Sequence, residues 1–351
     1  MKTSPHFTKV AIVAHARDLG SERLTTAAVE QVLAPLLTGF KISPQIILSL
    51  TSIESRFLYP RDSPPSRGAE YAAQKLFDRT GFDPQKIDIL YSTSVGRDFL
   101  EPSTASILHS RLGLSPECTS LDLGSACLGF LEGLYLAALQ VEYDLIDYAL
   151  ILAGENSRLV LENTFASLQN PELTLSDFFK HFATLTLGSG GAAMLVGSAS
   201  NFPYAPRLKN LVSLTDPFSN DLCRGNNTFM HTDSTNLLIK GVELAAKTFQ
   251  KGEKAFGWSP DTFNLYVCHQ VSEANTRKLA EKLDLPWDKI LKTYPHYGNM
   301  GPVAIPFTFD LARELNLVQP GVKVALMGIG SGLACAFWEV EIPEDYPKHP
   351  Y

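Results

Sequence analysis

Three side chains of complementary chemistry stand far apart in this chain. Cys127 follows the small residues Gly124, Ser125 and Ala126 and opens the apolar run ACLGFLEGLYLAALQVEY. A thiol at a helix start faces unpaired backbone N–H groups and the positive end of the peptide dipoles, and both favour a nucleophilic thiolate. Taken alone it also reads as a packing residue, the usual fate of a cysteine at an apolar helix start. His269 lies just past a short apolar run in VCHQVSEAN, where a loop leaving a sheet carries side chains toward a site; a structural histidine would look the same. Asn299 sits in YPHYGNMGP between glycines and prolines, which simple turn chemistry also explains. Together a cysteine nucleophile, a histidine and an amide donor form a complete acyl-transfer set.

The elements around them must bring the three together. Runs rich in Val, Ile and Leu at 9–14, 87–93, 148–153, 192–196, 265–268 and 322–327 alternate with helical patterns and glycine punctuation, which predicts an α/β architecture with buried sheets. The run that starts at Ala126 is apolar nearly all round and predicts a buried helix. Two passages show the same order of strand, turn into helix, and strand. One is DPQKIDILYSTS, SACLGF and YALILAGEN; the other is SPDTFNLYVCHQ, GNMGPVAIP and VALMGIGSG. Tyr91 to Ala149 spans 58 residues and Tyr266 to Ala325 spans 59. The chain therefore divides into residues 1–200, carrying Cys127, and 201–351, carrying His269 and Asn299, with Asn299 expected at the place equivalent to Cys127 and the two matched helix starts meeting at one cleft. Residues at about 158–186 read as an insertion that caps the first half.

Composition narrows the function classes. A 351-residue chain that is 45% hydrophobic can bury a large core. Its net charge of −7 and lack of a basic run argue against a nucleic-acid partner. Five cysteines with no CxxC pair argue against a structural zinc site or a disulfide framework and suggest a reducing, cytoplasmic setting. The first apolar run is too short for a signal-peptide core, and no stretch is long and apolar enough for a bilayer span.

The segments TSIESRF, RDFLEPSTAS, DLGSACLGFLEGL, TLGSGGAAML, CHQVSEAN, YGNMGPVAIP and ALMGIGSGL, in this order, resemble the β-ketoacyl-ACP synthase III branch of the thiolase superfamily almost from end to end. The resemblance implies a five-layered αβαβα thiolase fold of two pseudo-symmetric halves. It matches Cys127 to the acylated nucleophile, and His269 and Asn299 to the pair that stabilises the enolate of a second thioester. It matches Gly332 to the glycine whose backbone N–H completes an oxyanion hole with that of Cys127, and it puts Met300 and Ser331 on the substrate path. Glu101 precedes Pro102 where enzymes that initiate fatty-acid synthesis carry Phe, and in this it is similar to the OleA type of head-to-head condensing enzyme. There a glutamate from the partner subunit serves as base. Joining two plain acyl thioesters requires loss of an α-proton, whereas an initiation enzyme obtains its carbanion by losing CO₂, so an acid at this place has a chemical reason.

The expected activity is therefore a Claisen condensation, non-decarboxylative and between two acyl-CoA (or acyl-ACP) thioesters, in a homodimer with no metal or redox cofactor. Decarboxylative condensation with a malonyl thioester is the alternative, and a non-catalytic acyl-binding member of the fold a third. Arg56, in ESRF, is expected in a surface or dimer-interface ion pair.

Overall fold

A computed structural model describes residues 4–347. Its strands are β1 (Val10–Leu19), β2 (Glu22–Thr25), β3 (Ser55–Leu58), β4 (Ile89–Ser92), β5 (Thr119–Asp122), β6 (Tyr148–Glu155), β7 (Gly190–Ser198), β8 (Arg207–Thr215), β9 (Cys223–Gly225), β10 (Met230–Thr232), β11 (Leu265–Cys268), β12 (Lys323–Gly330) and β13 (Ala334–Glu341). Nine of them run in the order β11-β12-β13-β8-β1-β7-β6-β4-β5. One register pair, Ala11 with Arg207, joins β1 to β8 and divides this array into two half-sheets.

The half-sheets repeat one another. In the first, β4 pairs parallel with β6, β6 antiparallel with β7, and β7 antiparallel with β1. In the second, β11 pairs parallel with β12, β12 antiparallel with β13, and β13 antiparallel with β8. Even the outer parallel neighbour β5 has a counterpart, the isolated parallel bridge between Tyr266 and Ile290. The register makes Thr93 equivalent to His269, since their backbone N–H groups donate to Leu152 O and Met327 O, each at 2.8 Å.

Two central helices, Gly129–Glu142 and Ala304–Glu314, fill the space between the half-sheets. Leu131, Leu134, Phe307 and Phe309 share one core with Ile151 and Met194 of the first half-sheet and with Val267, Leu326 and Trp338 of the second. The helix Ser66–Thr80 covers the outer face of the first half-sheet through Ala69, Ala72 and Leu76, and the helix Ser234–Phe256 covers the second through Leu244 and Phe249. These are the five layers of a thiolase fold. Because Ile151 faces the central helices while Leu150 and Leu152 face the outer one, both faces of β6 are apolar, which is why it reads as an unbroken hydrophobic run.

A buried ion cluster locks the layers. Asp310, fully buried on the second central helix, accepts from His15 Nδ1 at 2.8 Å and Arg79 at 3.0 Å, and also pairs with Arg17; Arg313 lies 3.7 Å away. Burial alone would raise its carboxyl, but the hydrogen bond from His15 and the cationic neighbours outweigh it and hold Asp310 well below the usual carboxylate range.

Residues 158–186 form two helices, Arg158–Leu168 and Leu175–His181, and a 3₁₀ turn, Phe182–Thr186. Leu168, Phe178 and Leu185 pack on Val29, Leu33 and Leu37 of the helix Thr26–Gly39. Between the two half-sheets the chain passes from β7 to β8 through residues 199–206.

Candidate active site

A cavity of about 830 Å³ opens where the two central helices begin, and Cys127, His269, Asn299, Met300, Ser331 and Glu155 all line it. Cys127 lies in the 3₁₀ turn Ala126–Leu128, entered through Ala126 in the left-handed region at φ 46°. That turn is wedged between strands. A Cβ placed on Gly129 would lie 2.7 Å from Thr93 O, and one on Gly330 would lie 2.8 Å from Ser125 O and 3.0 Å from Leu128 N, so only glycine allows both approaches. The matching 3₁₀ turn in the other half, Gly301–Val303, touches the Cys127 turn and is entered through Gly301 at φ 55°.

This register corrects one expectation of the repeat. Ala126 matches Gly301, so the residue equivalent to Cys127 is Pro302, and Asn299 lies earlier in its turn. It still reaches the cavity, because its main chain is pinned by Asn299 N donating to Thr186 O and Gly188 N donating to Asn299 O, both at 2.8 Å. Its Oδ1 accepts from Gly301 N at 3.0 Å, which leaves Nδ2 as the end able to donate to a ligand.

His269 directly follows β11. Burial lowers its imidazole to about 4, with a partial opposing contribution from the Gly301 backbone, so it is neutral at physiological pH. Its Nδ1 is buried without a hydrogen-bond partner among the described residues. The Cys127 thiol departs from expectation. Burial first, then Cys223 and Glu155, push it up to about 12, against a smaller lowering from its own backbone N–H. The free protein thus holds a neutral thiol rather than the thiolate that a helix start alone suggests.

Met300 is buried and Ser331 half-buried, both on the cavity wall. Gly332, at φ 136°, lies in the β12–β13 turn, which sits against the Cys127 turn, but it does not itself line the cavity as Ser331 and Leu333 do. Glu101 is not brought to this cavity. The wall includes residues 94–98, and the chain then leads out to exposed Phe99, Leu100 and Glu101, with Leu100 89% exposed. Arg56 is fully buried rather than at a surface. It donates to Leu185 O and Thr26 Oγ1, both at 2.8 Å, and burial lowers it to about 10.

Two parts of the wall have little signal in sequence. The β9–β10 hairpin with the start of the helix Ser234–Phe256 contributes Cys223, Asn227, Met230 and Leu238, and the 158–186 segment contributes Leu159 and Ala183. Glu155 closes β6 with its carboxylate accepting from Val95 N at 2.5 Å and Gly96 N at 3.2 Å. Burial raises it to about 7 despite those two donors.

Residues 253–341 match the family model described as 3-oxoacyl-[acyl-carrier-protein (ACP)] synthase III C terminal. The chain is 36% identical over 334 residues to a Xanthomonas campestris protein named acyl-CoA:acyl-CoA alkyltransferase, covering 95% of this chain and 99% of that one. A protein of the same name from Shewanella oneidensis is 32% identical over 342 residues, covering 94% and 97%. Among solved structures, cerulenin-bound Xanthomonas campestris OleA superposes with a TM-score of 0.94 at 36% identity, covering 96% of this chain and 98% of that one. An OleA variant with bound lauric acid and lauroyl-CoA gives 0.93 at the same identity, covering 95% and 99%.

Proposed function

The chain belongs to the acyl-CoA:acyl-CoA alkyltransferase, or OleA, family, and from that premise we propose how its residues carry out head-to-head condensation of two acyl-CoA thioesters. In the first half-reaction Cys127 Sγ attacks the thioester carbonyl. The backbone N–H groups of Cys127 and Gly332 hold the oxyanion, the carbon–sulfur bond to coenzyme A breaks, and the proton lost by Cys127 ends on the departing thiol. In the second, Glu101 of the partner subunit takes an α-proton from a second acyl-CoA. His269 and Asn299 donate to the enolate oxygen, the α-carbon attacks the acyl-enzyme carbonyl, and the Cys127 sulfur leaves and takes up the proton that Glu101 had removed, giving a β-ketoacyl-CoA. Met300 and Ser331 shape the substrate path. These steps call on no metal or redox cofactor.

The observation that carries this reading is the meeting of Cys127, neutral His269 and the donor end of Asn299 in one cavity. Exposed Glu101 between Leu100 and Pro102 suits a base offered to a second copy, so the working unit is a homodimer. No helix among the described residues is long and apolar enough to cross a membrane, and a cytoplasmic enzyme suits free thiols and coenzyme A substrates.

The test is intact-protein mass spectrometry after incubation with a long-chain acyl-CoA and no malonyl donor, on the wild type, Cys127→Ala and Glu101→Ala, with released products analysed. An adduct lost only in Cys127→Ala, with β-keto product lost in both variants, supports the scheme. An adduct that condenses only after malonyl-ACP or malonyl-CoA is added, with CO₂ released, would overturn it.

A further inference from the structure

Glu155 has no part in that scheme, yet it lies between the Cys127 cavity and the segment that leads to Glu101. Its two carboxylate oxygens accept from Val95 N and Gly96 N, the first turn of the segment that leads to Glu101. The next residue is clamped from the β9–β10 hairpin: Asn227 Nδ2 donates to Arg97 O at 2.7 Å and Arg97 N donates to Asn227 Oδ1 at 3.4 Å. Inside the cavity the same carboxylate is felt by Cys127, and a Cβ on Gly301 would lie 3.9 Å from Glu155 Cγ. In the repeat Glu155 occupies the place of Gly330, where the other half presses bare backbone onto the Cys127 turn.

Val95 N and Gly96 N each take a different oxygen of Glu155, so an amide in its place would present an NH₂ group, which can only donate, to one of the two N–H groups. We propose that Glu155 is a positioning residue for the Glu101 segment, joining the Cys127 cavity of one subunit to the base which that subunit offers its partner. The inference rests on the reading above, in which Glu101 acts across the dimer. The charged side chains that line the cavity with Glu155 are Arg61, Asp62, Arg97, Asp98 and Arg224, beside the thiols Cys127 and Cys223 and the imidazole of His269.

Heterodimers with two affinity tags separate this role from a local one. Cys127→Ala in one chain leaves a single nucleophile, in the other. Glu155→Gln is then placed either in the chain without the nucleophile or in the chain with it, and Glu101→Ala is placed in the same two ways. Acyl adduct and β-keto product are measured for each, with thermal unfolding as a check on folding. The expected result is a fall in condensation, on the order of 10²-fold for a base displaced by about 1 Å, when Glu155→Gln sits opposite the nucleophile. The adduct still forms there, and the fall is much smaller when Glu155→Gln shares the chain with Cys127. Asn227→Ala, which loosens the same segment without a change of charge, should follow the same pattern. Loss of condensation that instead follows Glu155→Gln into the chain with Cys127, or equal loss in both placements, overturns the proposal. If Glu101→Ala itself shows no preference for the opposite chain, or the tagged chains do not co-purify, the dimeric base is wrong whatever Glu155 does.

Discussion

The reactivity of Cys127 sets two physical effects against each other. A helix start stabilises a thiolate by at most about 2 kcal/mol, equivalent to lowering its pKa by about 1.5. Burial and the neighbouring Cys223 and Glu155 move the thiol the other way, from an ordinary 9.0 to about 12, so burial wins. At pH 8 such a thiol holds roughly one part in 10⁴ as thiolate, about a thousandfold less than an ordinary one. Alkylation by iodoacetamide between pH 6 and about 10.5, followed by intact mass, reads this directly. Cys127→Ala serves as the blank, because Cys223 shares the cavity. The logarithm of the rate should climb by about one per pH unit, without a plateau below about pH 10. A plateau near pH 8 or lower, with a neutral-pH rate equal to that of a free thiol, would refute the dominance of burial. Acyl transfer is less hindered than alkylation under this account, since the proton that Cys127 loses is returned to the sulfur of coenzyme A.

Other substitutions test other parts of the molecule. Asn299→Asp keeps the acceptor for Gly301 N but replaces the donor, so condensation should fall about 10²–10³-fold while the Cys127 adduct still forms by mass. Gly330→Ala forces a methyl to 2.8 Å from Ser125 O; it should lower stability by about 1–3 kcal/mol in denaturant unfolding and slow adduct formation by displacing the Cys127 turn. Asp310→Ala leaves His15 and Arg17 facing a vacancy and should cost about 3–5 kcal/mol by the same measurement. The folded-state carboxyl of Asp310 is depressed, so its contribution is complete above the unfolded value near pH 4 and is lost as pH falls toward the folded one; Asp310→Asn should flatten the acid side of the stability curve.

Sequence legibility followed burial symmetry. β6 and β11 stood out because apolar side chains point to both faces, whereas β8, RLKNLVSLT, and β13, with Glu339 inside it, break that pattern with polar residues that find partners only in the fold. Trp258 and Lys323, for example, satisfy Glu339, and neither is near it in sequence. Cys127, His269 and Asn299 were legible through their neighbouring motifs. Glu155 was not, because an acid closing an apolar strand looks like any strand end until the two N–H groups above it are seen. The thiol's raised pKa was hidden for the same reason, since desolvation depends on what folds over a residue. The three-residue strands of the β9–β10 hairpin are too short to carry any period.

The matched corners of the two half-sheets have one more consequence. A symmetric dimer of half-length chains would be obliged to carry the same residue at both copies of each corner. A single chain is free of that obligation, and this one differs between its halves at three of the matched corners. His269 answers Thr93, Gly330 answers Glu155, and Pro302 answers Cys127, while the backbone path through Ala126 and Gly301 is kept. The scaffold is thus present in duplicate while its chemistry is singular, so the reactive group at each of these corners has an inert twin in the same polypeptide against which its contribution can be judged.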